Sequence, residues 1–209
     1  QLYSVRSRAS WGMGDFADLG DLAAIAGREG ADFLLVNPVH AAEVTSPIEP
    51  SPYRPASRRF LAPLYVRPED IREVAYLTPT ERAVIEAART PVAASNDDPT
   101  RIDRDAVWAA KRVALDAIFV VPLSAGRQAE LDAFAAGEGQ PLQDFALWCA
   151  LEEHYEGAER PAEAWDIDSP LVEALRAQLA DRVRFHVWLQ WICDQQLERA
   201  QAAAQASGM

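Results

Sequence analysis

Residues Leu2, Ser4 and Arg6 alternate with Tyr3, Val5 and Ser7, a period of two that predicts a short strand over residues 1–7. The loop "SWGMGD" follows. Asp15 then stands where a helix N-cap belongs, with Asp18 favourable in the first turn. Phe16, Leu19, Ala23 and Ala26 recur at helical spacing until Gly30. Phe33 to Val36 is a continuous apolar run, the mark of a strand buried on both faces, and Pro38 ends it because proline cannot donate to a ladder. The first forty residues therefore read strand, helix, strand: a right-handed βαβ unit with parallel strands. A hairpin with a long loop is the competing reading, and the helix signals disfavour it.

Beyond residue 40 the pattern changes. Residues 41–66 are rich in proline. Thr80 is expected to cap a helix over "ERAVIEAART", and "PVAASNDDPT" reads as a loop. Residues 106–119 place Trp108, Lys111, Arg112, Leu115 and Phe119 in helical register. "PLSAGRQAELDAFAAGEG" reads as turn, helix and glycine stop, and "PLQDFALWCALEEHYEG" as a helix with Pro141 where its missing N–H costs nothing. "PAEAWDIDSP" is a loop. Residues 170–207 form one long helix or two, in which Phe185, Trp188, Leu189, Ile192 and Cys193 make a wide apolar face. With two strands in sight, a parallel sheet lacks cover for its faces and edges, so part of a larger sheet is expected to lie elsewhere. Gln1 opening in mid-pattern and Gly208 closing a helix point the same way. The organisation expected is a βαβ unit over residues 1–40, a loop and mainly helical insertion over 41–180, and a helix over 181–209.

Charge narrows the partners. The formal net charge is −12, and of 20 basic residues all but Lys111 are arginine. An acidic chain does not suit binding to a phosphate backbone, which needs a basic face; neutral ligands suit it better. Cys149 and Cys193 are far apart in helical patterns, so they read as buried thiols, not as a disulfide framework or metal ligands. No apolar run approaches the ~20 residues of a membrane-spanning helix. No leader pattern opens the chain, and a cytoplasmic setting is expected.

Candidate chemistry is sparse. His154 reads as solvated and His186 as a structural histidine. His40 and Asn37 stand at the C-terminal end of the second expected strand, where ligands of α/β sheets bind, although a loop-stapling role for His40 is equally open. No serine has a G-x-S-x-G context. Gly12 and Gly14 form an incomplete dinucleotide turn, with Ala17 in place of the third glycine. The pairs Asp97/Asp98 and Glu152/Glu153 read as solvated faces. In "SPYRPASRRF", Pro52 and Pro55 stiffen the backbone around Tyr53. A fixed tyrosine offers a flat face and a hydroxyl, which suits a sugar ring; the alternative is a loop packed over the core by Tyr53 and Phe60.

The segments "QLYSVRSRASWGMGDFADLGDLA", "GADFLLVNPVHA", "SPYRPASRRFLAPLYV", "LWCALEEHYEG" and "FHVWLQWICDQQLERAQAAAQASGM" together resemble the 4-α-glucanotransferases, also called amylomaltases or disproportionating enzymes. The resemblance implies an α/β, mostly helical chain forming part of a (β/α)8 barrel: its first two strands, then a helical insertion. It also implies transfer of α-1,4-glucan segments between maltooligosaccharides through a covalent intermediate, with no cofactor and no metal. The reacting carboxylates of such a retaining reaction stand ~5–5.5 Å apart. In the family they come from later strands, so none is assigned here and the isolated chain is expected to be inactive. The Ser-Pro-Tyr turn does carry over: Tyr53 is expected to stack on glucose with Ser51 beside it, and Asn37 and His40 are nearby. The competing expectation is a non-catalytic helical module that binds a partner or self-associates through unpaired strand edges.

Overall fold

The computed structural model describes all of residues 1–209. Seven α-helices dominate it: α1 (Phe16–Arg28), α2 (Pro79–Ala93), α3 (Arg104–Phe119), α4 (Ala125–Glu138), α5 (Gln140–His154), α6 (Pro170–Gln178) and α7 (Ala180–Ala206). One two-stranded sheet, β1 (His40–Ala41) and β2 (Ser57–Leu61), completes the regular structure, with short 3₁₀ turns between elements. Contacts divide the chain into two compact units. The first comprises Gln1–Ala42, Glu49–Pro122 and Ile192–Met209; the second comprises Glu43–Ile48 and Leu123–Trp191. The sequence reading places its boundaries differently, at 40 and 180.

Local signals account for the helix ends. Asp15 caps α1: its carboxylate accepts from the amides of Ala17 and Asp18 at 3.0 Å each, while Asp18 accepts from the Asp15 amide at 3.1 Å. This reciprocal box satisfies donors that an α-helix leaves open. The cap of α2 is Thr78, not Thr80. Pro79 occupies the first turn, where a missing N–H is harmless, so the cap falls on the residue before it, and Glu81 closes the box. The same helix runs through Pro91 to Ala93, where the sequence reading has a loop. Ser124 and Ser169 cap α4 and α6, and Gly139, at φ +66°, separates α4 from α5. Residues 170–206 are two helices that break at Leu179.

The two expected parallel strands do not form. Leu2–Ser4 is a 3₁₀ turn closed by Ser4 N–H to Gln1 carbonyl (3.1 Å) and Val5 N–H to Leu2 carbonyl (2.9 Å). Residues 33–36 carry no ladder, and Phe33 and Leu35 are 77% and 86% exposed. A strand reading as apolar on both faces needs neighbours on both edges and cover on both faces, and nothing within the first unit supplies them. The two segments still meet, through a side chain instead of a ladder: the Leu2 amide donates to Asn37 Oδ1 at 2.6 Å. The sheet that does form is antiparallel, pairing His40 with Leu61 and Ala41 with Ser57, with a register irregularity between His40 and Ala41.

In the first unit the core is built from Leu2, Trp11, Met13, Phe16, Val66, Ala114, Leu115 and Ile118, all essentially inaccessible. Phe16 packs on Tyr65 with ring centroids 5.8 Å apart. In the second, Leu147 and Leu151 of α5 pack on Val172 and Leu175 of α6. No helix is long and apolar enough to cross a membrane.

Candidate functional site

The β1–β2 hairpin carries the Ser-Pro-Tyr turn near its tip. The Arg54 amide donates to the Ser51 carbonyl at 3.2 Å, which closes a four-residue turn with Pro52 and Tyr53 in the centre. No non-glycine residue has positive φ, so the turn is not type II, and serine first with proline second is the preferred type I arrangement. Ser51 is held on both sides: its amide donates to Glu49 Oε1 at 2.9 Å, and its hydroxyl accepts from the Tyr53 amide at 3.4 Å. Tyr53 is 65% exposed, whereas Phe60 on β2 is buried. The two aromatics of this segment thus part company: Phe60 anchors the hairpin and Tyr53 is displayed.

Asn37 ties down the base of the same hairpin. Its side chain is buried, accepts from the Leu2 amide, and donates to the Pro38 carbonyl (2.8 Å) and the Tyr65 hydroxyl (3.1 Å). Pro38 leads into β1, and Tyr65 follows β2. Burial pushes the Tyr65 phenol up, opposed by the bond from Asn37. His40 lies on the first leg, half-buried, paired through its backbone with Leu61. Further bonds join the legs, from the Ala56 amide to the Ala41 carbonyl and from the Ala62 amide to the Val39 carbonyl, both 2.9 Å. One hairpin therefore carries His40, Ser51 and Tyr53, and Asn37 sits at its root.

Behind the hairpin in sequence lies a buried charge cluster that sequence reasoning missed. Arg67 follows the 3₁₀ turn Pro63–Tyr65. Its guanidinium reaches Asp15 through Nε (2.9 Å) and Nη2 (2.9 Å), and Asp18 through Nη2 (2.8 Å). Gln196 of α7 pairs with the Arg67 backbone, accepting from its amide at 2.9 Å and donating to its carbonyl at 2.8 Å. Ser10 donates to Asp18 at 2.7 Å, and the Trp11 indole donates to Glu69 at 3.0 Å. Lys111, fully buried on α3, donates to the Leu64 carbonyl at 2.7 Å. Burial lowers the Lys111 ammonium to about 8, against the pull of Asp15. Burial likewise raises Asp15, against the attraction of Lys111 and Arg67. The cluster joins α1, α3, α7 and the root of the hairpin into one scaffold. The signal available in the sequence was Lys111 itself, the sole lysine, on the same helical stripe as Trp108 and Leu115.

Two other sequence readings change. Glu152 and Glu153 are not a solvated pair. The Glu153 side chain is 8% exposed and accepts from Arg182 Nε and Nη2 at 2.7 and 2.8 Å. His186 Nε2 lies 3.3 Å from Glu153 Oε1, and Glu152 pairs with Arg160. Burial acts to raise the Glu153 carboxyl, yet contacts from His186 and Arg182 hold it down to about 2. His186 is thus a structural histidine, while His154 is exposed and packs edge-on against Tyr155. Gly12 and Gly14 serve packing. Gly12 has φ +76°, and a Cβ on Gly14 would run into the carbonyl oxygens of Leu2 and Val5, so no room is left there for a pyrophosphate. Cys149 and Cys193 are buried free thiols, and no group of three or more His, Cys, Asp or Glu side chains is arranged to hold a metal ion.

The fold is a mostly helical chain with one small antiparallel hairpin that displays Ser-Pro-Tyr. The profile of the 4-alpha-glucanotransferase family matches residues 1–209, and the chain belongs to that family. It is 47% identical, over 218 aligned residues, to the 4-alpha-glucanotransferase of Mycobacterium tuberculosis strain H37Rv, covering 100% of this chain and 30% of that protein. With the Haemophilus influenzae Rd 4-alpha-glucanotransferase it shares 29% identity over 100% of this chain and 32% of that protein. Among solved structures, the crystal structure of amylomaltase from Corynebacterium glutamicum superposes with a TM-score of 0.88 at 44% identity, over 100% of this chain and 28% of the other. The chain thus spans about a third of the length of these relatives.

Proposed function

We propose that these residues belong to an enzyme that transfers α-1,4-glucan segments between maltooligosaccharides, and that Tyr53 is a sugar-stacking surface of its acceptor or donor site. The observation that carries this reading is the displayed Tyr53 ring on a turn braced by Pro52 and Ser51, in a chain similar over its whole length to enzymes named for that activity. A pyranose has one apolar C–H face and a polar rim, which a phenol ring with a free edge matches. Ser51 fixes the turn. Asn37 and His40 hold the base of the hairpin that presents it. In the complete enzyme the segments over residues 1–7 and 32–37 become the first two strands of a (β/α)8 barrel once neighbouring strands pair with them.

The reaction is a retaining double displacement: one carboxylate attacks the anomeric carbon, a second protonates the leaving oxygen, and an incoming glucan hydroxyl then displaces the enzyme. Both carboxylates come from outside these 209 residues, so the chain by itself is inactive. No cofactor takes part, and the setting is cytoplasmic. Disproportionation of maltotriose by the full-length protein tests the reading. Tyr53→Ala is expected to lower the rate about tenfold or more while changing stability by less than about 1 kcal/mol, because the ring is exposed. A protein that leaves maltotriose unchanged, or one indifferent to the substitution, refutes it.

A second reading is favoured by one specific observation. Phe33 and Leu35 project from a segment without a ladder, and such an edge invites pairing between copies. Light scattering of the 209-residue chain over a concentration series separates the two: a concentration-independent monomer excludes a self-associating module.

A further inference from the structure

Trp165 is 64% exposed, in a loop that is otherwise tied down. It ends the 3₁₀ turn Ala162–Trp165, which the Ala164 amide closes on the Pro161 carbonyl at 2.9 Å. Ala164 is buried, and the Ser169 hydroxyl donates to the Glu163 carbonyl at 2.8 Å while capping α6. One face of the indole is backed by Arg160, whose guanidinium carbon lies 4.0 Å from the ring centroid. That guanidinium is itself immobilised. It pairs with Glu152 and donates through Nη2 to the Ala164 carbonyl at 2.6 Å, and its side chain is 9% exposed. The ring is therefore a fixed plate with one face against a buried cation and the other open to solvent. An indole left in water forgoes most of the burial that usually stabilises it; what it gives the fold is the cation–π contact with Arg160.

The surroundings select the ligand. Glu159, Glu163, Asp166 and Asp168 flank Trp165 along the chain, all exposed, as is Ile167. So acidic a segment repels polyanions and anionic lipid surfaces. It offers acceptors to the hydroxyls of a neutral polyol lying with its apolar face on the ring. We propose that Trp165, backed by Arg160, is a surface binding site for an α-glucan chain, separate in sequence from the Tyr53 hairpin, which holds long glucans on the enzyme. This inference rests on the glucan-transfer reading for its choice of polyol. The stacking is expected to be lost with the ring and retained in part by another aromatic.

The test is affinity electrophoresis of the full-length protein through gels containing soluble amylose, alongside maltotriose disproportionation as a short-substrate control. Trp165→Ala is expected to weaken amylose retardation about fivefold or more, and Trp165→Phe by less, since stacking on one aromatic face accounts for the difference. Both variants are expected to keep wild-type maltotriose kinetics, with the loss of the Arg160 contact lowering the melting temperature by a few degrees at most. Retardation unchanged in Trp165→Ala overturns the site. So does a Trp165→Ala variant whose main change is loss of a dimer in sedimentation, since that assigns the plate to a second copy. Tyr53→Ala separates this proposal from the one above. If maltotriose is never turned over but retardation depends on Trp165, the surface site stands and the transfer reading falls; if turnover is intact and retardation ignores Trp165, the reverse holds.

Discussion

The side chain of Asn37 bridges the two ends of the β1–β2 hairpin, donating to the Tyr65 hydroxyl after β2 and to the Pro38 carbonyl before β1. A third bond, accepted from the Leu2 amide, anchors the chain start to the same point. Replacing Asn37 by leucine keeps the volume and removes all three bonds, leaving a buried amide and a buried phenol without their partner. The expected loss is about 2–4 kcal/mol in urea unfolding. Tyr65→Phe removes one bond along with its phenol and is expected to cost only about 1 kcal/mol. If the two variants lose the same amount, Asn37 is not the hub.

Arg67 holds two carboxylates that are otherwise buried side by side. Arg67→Met leaves Asp15 and Asp18 with Lys111 as the remaining cation near them, and breaking one partner out of a buried ionic group costs about 3–5 kcal/mol. Arg67→Lys is not expected to rescue it, because an ammonium cannot reproduce the forked contacts of Nε and Nη2 with two acids. Denaturation midpoints of the two variants check this; a lysine variant as stable as wild type contradicts it.

Burial pushes both thiols up, Cys149 with added repulsion from Glu153 and Glu152 and Cys193 with repulsion from Asp194. The thiolate is the reactive form, so neither cysteine is expected to react with a disulfide reagent at pH 8 in the native state, and both are expected to react in denaturant. Labelling of either before unfolding would show that its helix opens locally.

What was legible in the sequence was local. Asp15 and Asp18 stand three residues apart, so the cap of α1 could be read directly; Gly30 and Pro141 likewise act through their own backbone. The shift of the cap from Thr80 to Thr78 is local as well, since Pro79 fixes the first turn. The strands failed for a different reason. Apolar runs state that a segment can be buried, but a ladder exists only when another segment supplies its bonds, and residues 33–36 have none here. Glu153 was hidden by its neighbour Glu152, although it shares a helix stripe with the buried Leu142, Ala146 and Cys149; its partner Arg182 is distant in sequence. Of the site, the Ser-Pro-Tyr turn was visible as stiff backbone, while the Asn37 brace depends on Tyr65 and Leu2, which no spacing rule brings together.

Glu153 makes the second unit acid-sensitive. Its carboxyl sits at about 2 in the fold against an ordinary value of about 4.5. A lowered folded value gives stability that is present above the ordinary value and lost as pH falls through 4.5 toward 2. The amount is on the order of 3 kcal/mol. Glu153→Gln is expected to destabilise the chain at pH 7 and to flatten its stability profile between pH 5 and 2, measured by urea unfolding at each pH. A variant profile parallel to wild type in that window would place the acid sensitivity elsewhere.

Lys111 predicts a slope of the same sign at high pH. Burial, the leading cause, lowers its ammonium from about 10.5 to about 8 in the fold, with Asp15 partly offsetting the effect and Arg67 adding to it. Between pH 8 and 10.5 the unfolded chain therefore holds a proton that the folded chain has released, so stability rises with pH across that window; below pH 8 the buried charge is a constant penalty of order 3 kcal/mol. Lys111→Met removes that penalty and also removes the donor to the Leu64 carbonyl, a loss of about 1–3 kcal/mol. The two changes oppose each other, so stability at pH 7 is expected to move by no more than about 2 kcal/mol in either direction. The diagnostic is the slope. Wild type is expected to gain stability from pH 8 to 10 and the methionine variant to show no such gain, read from urea midpoints at constant ionic strength. Equal slopes in the two proteins would mean that Lys111 keeps its proton in the fold and is held by Asp15 more strongly than its burial opposes it.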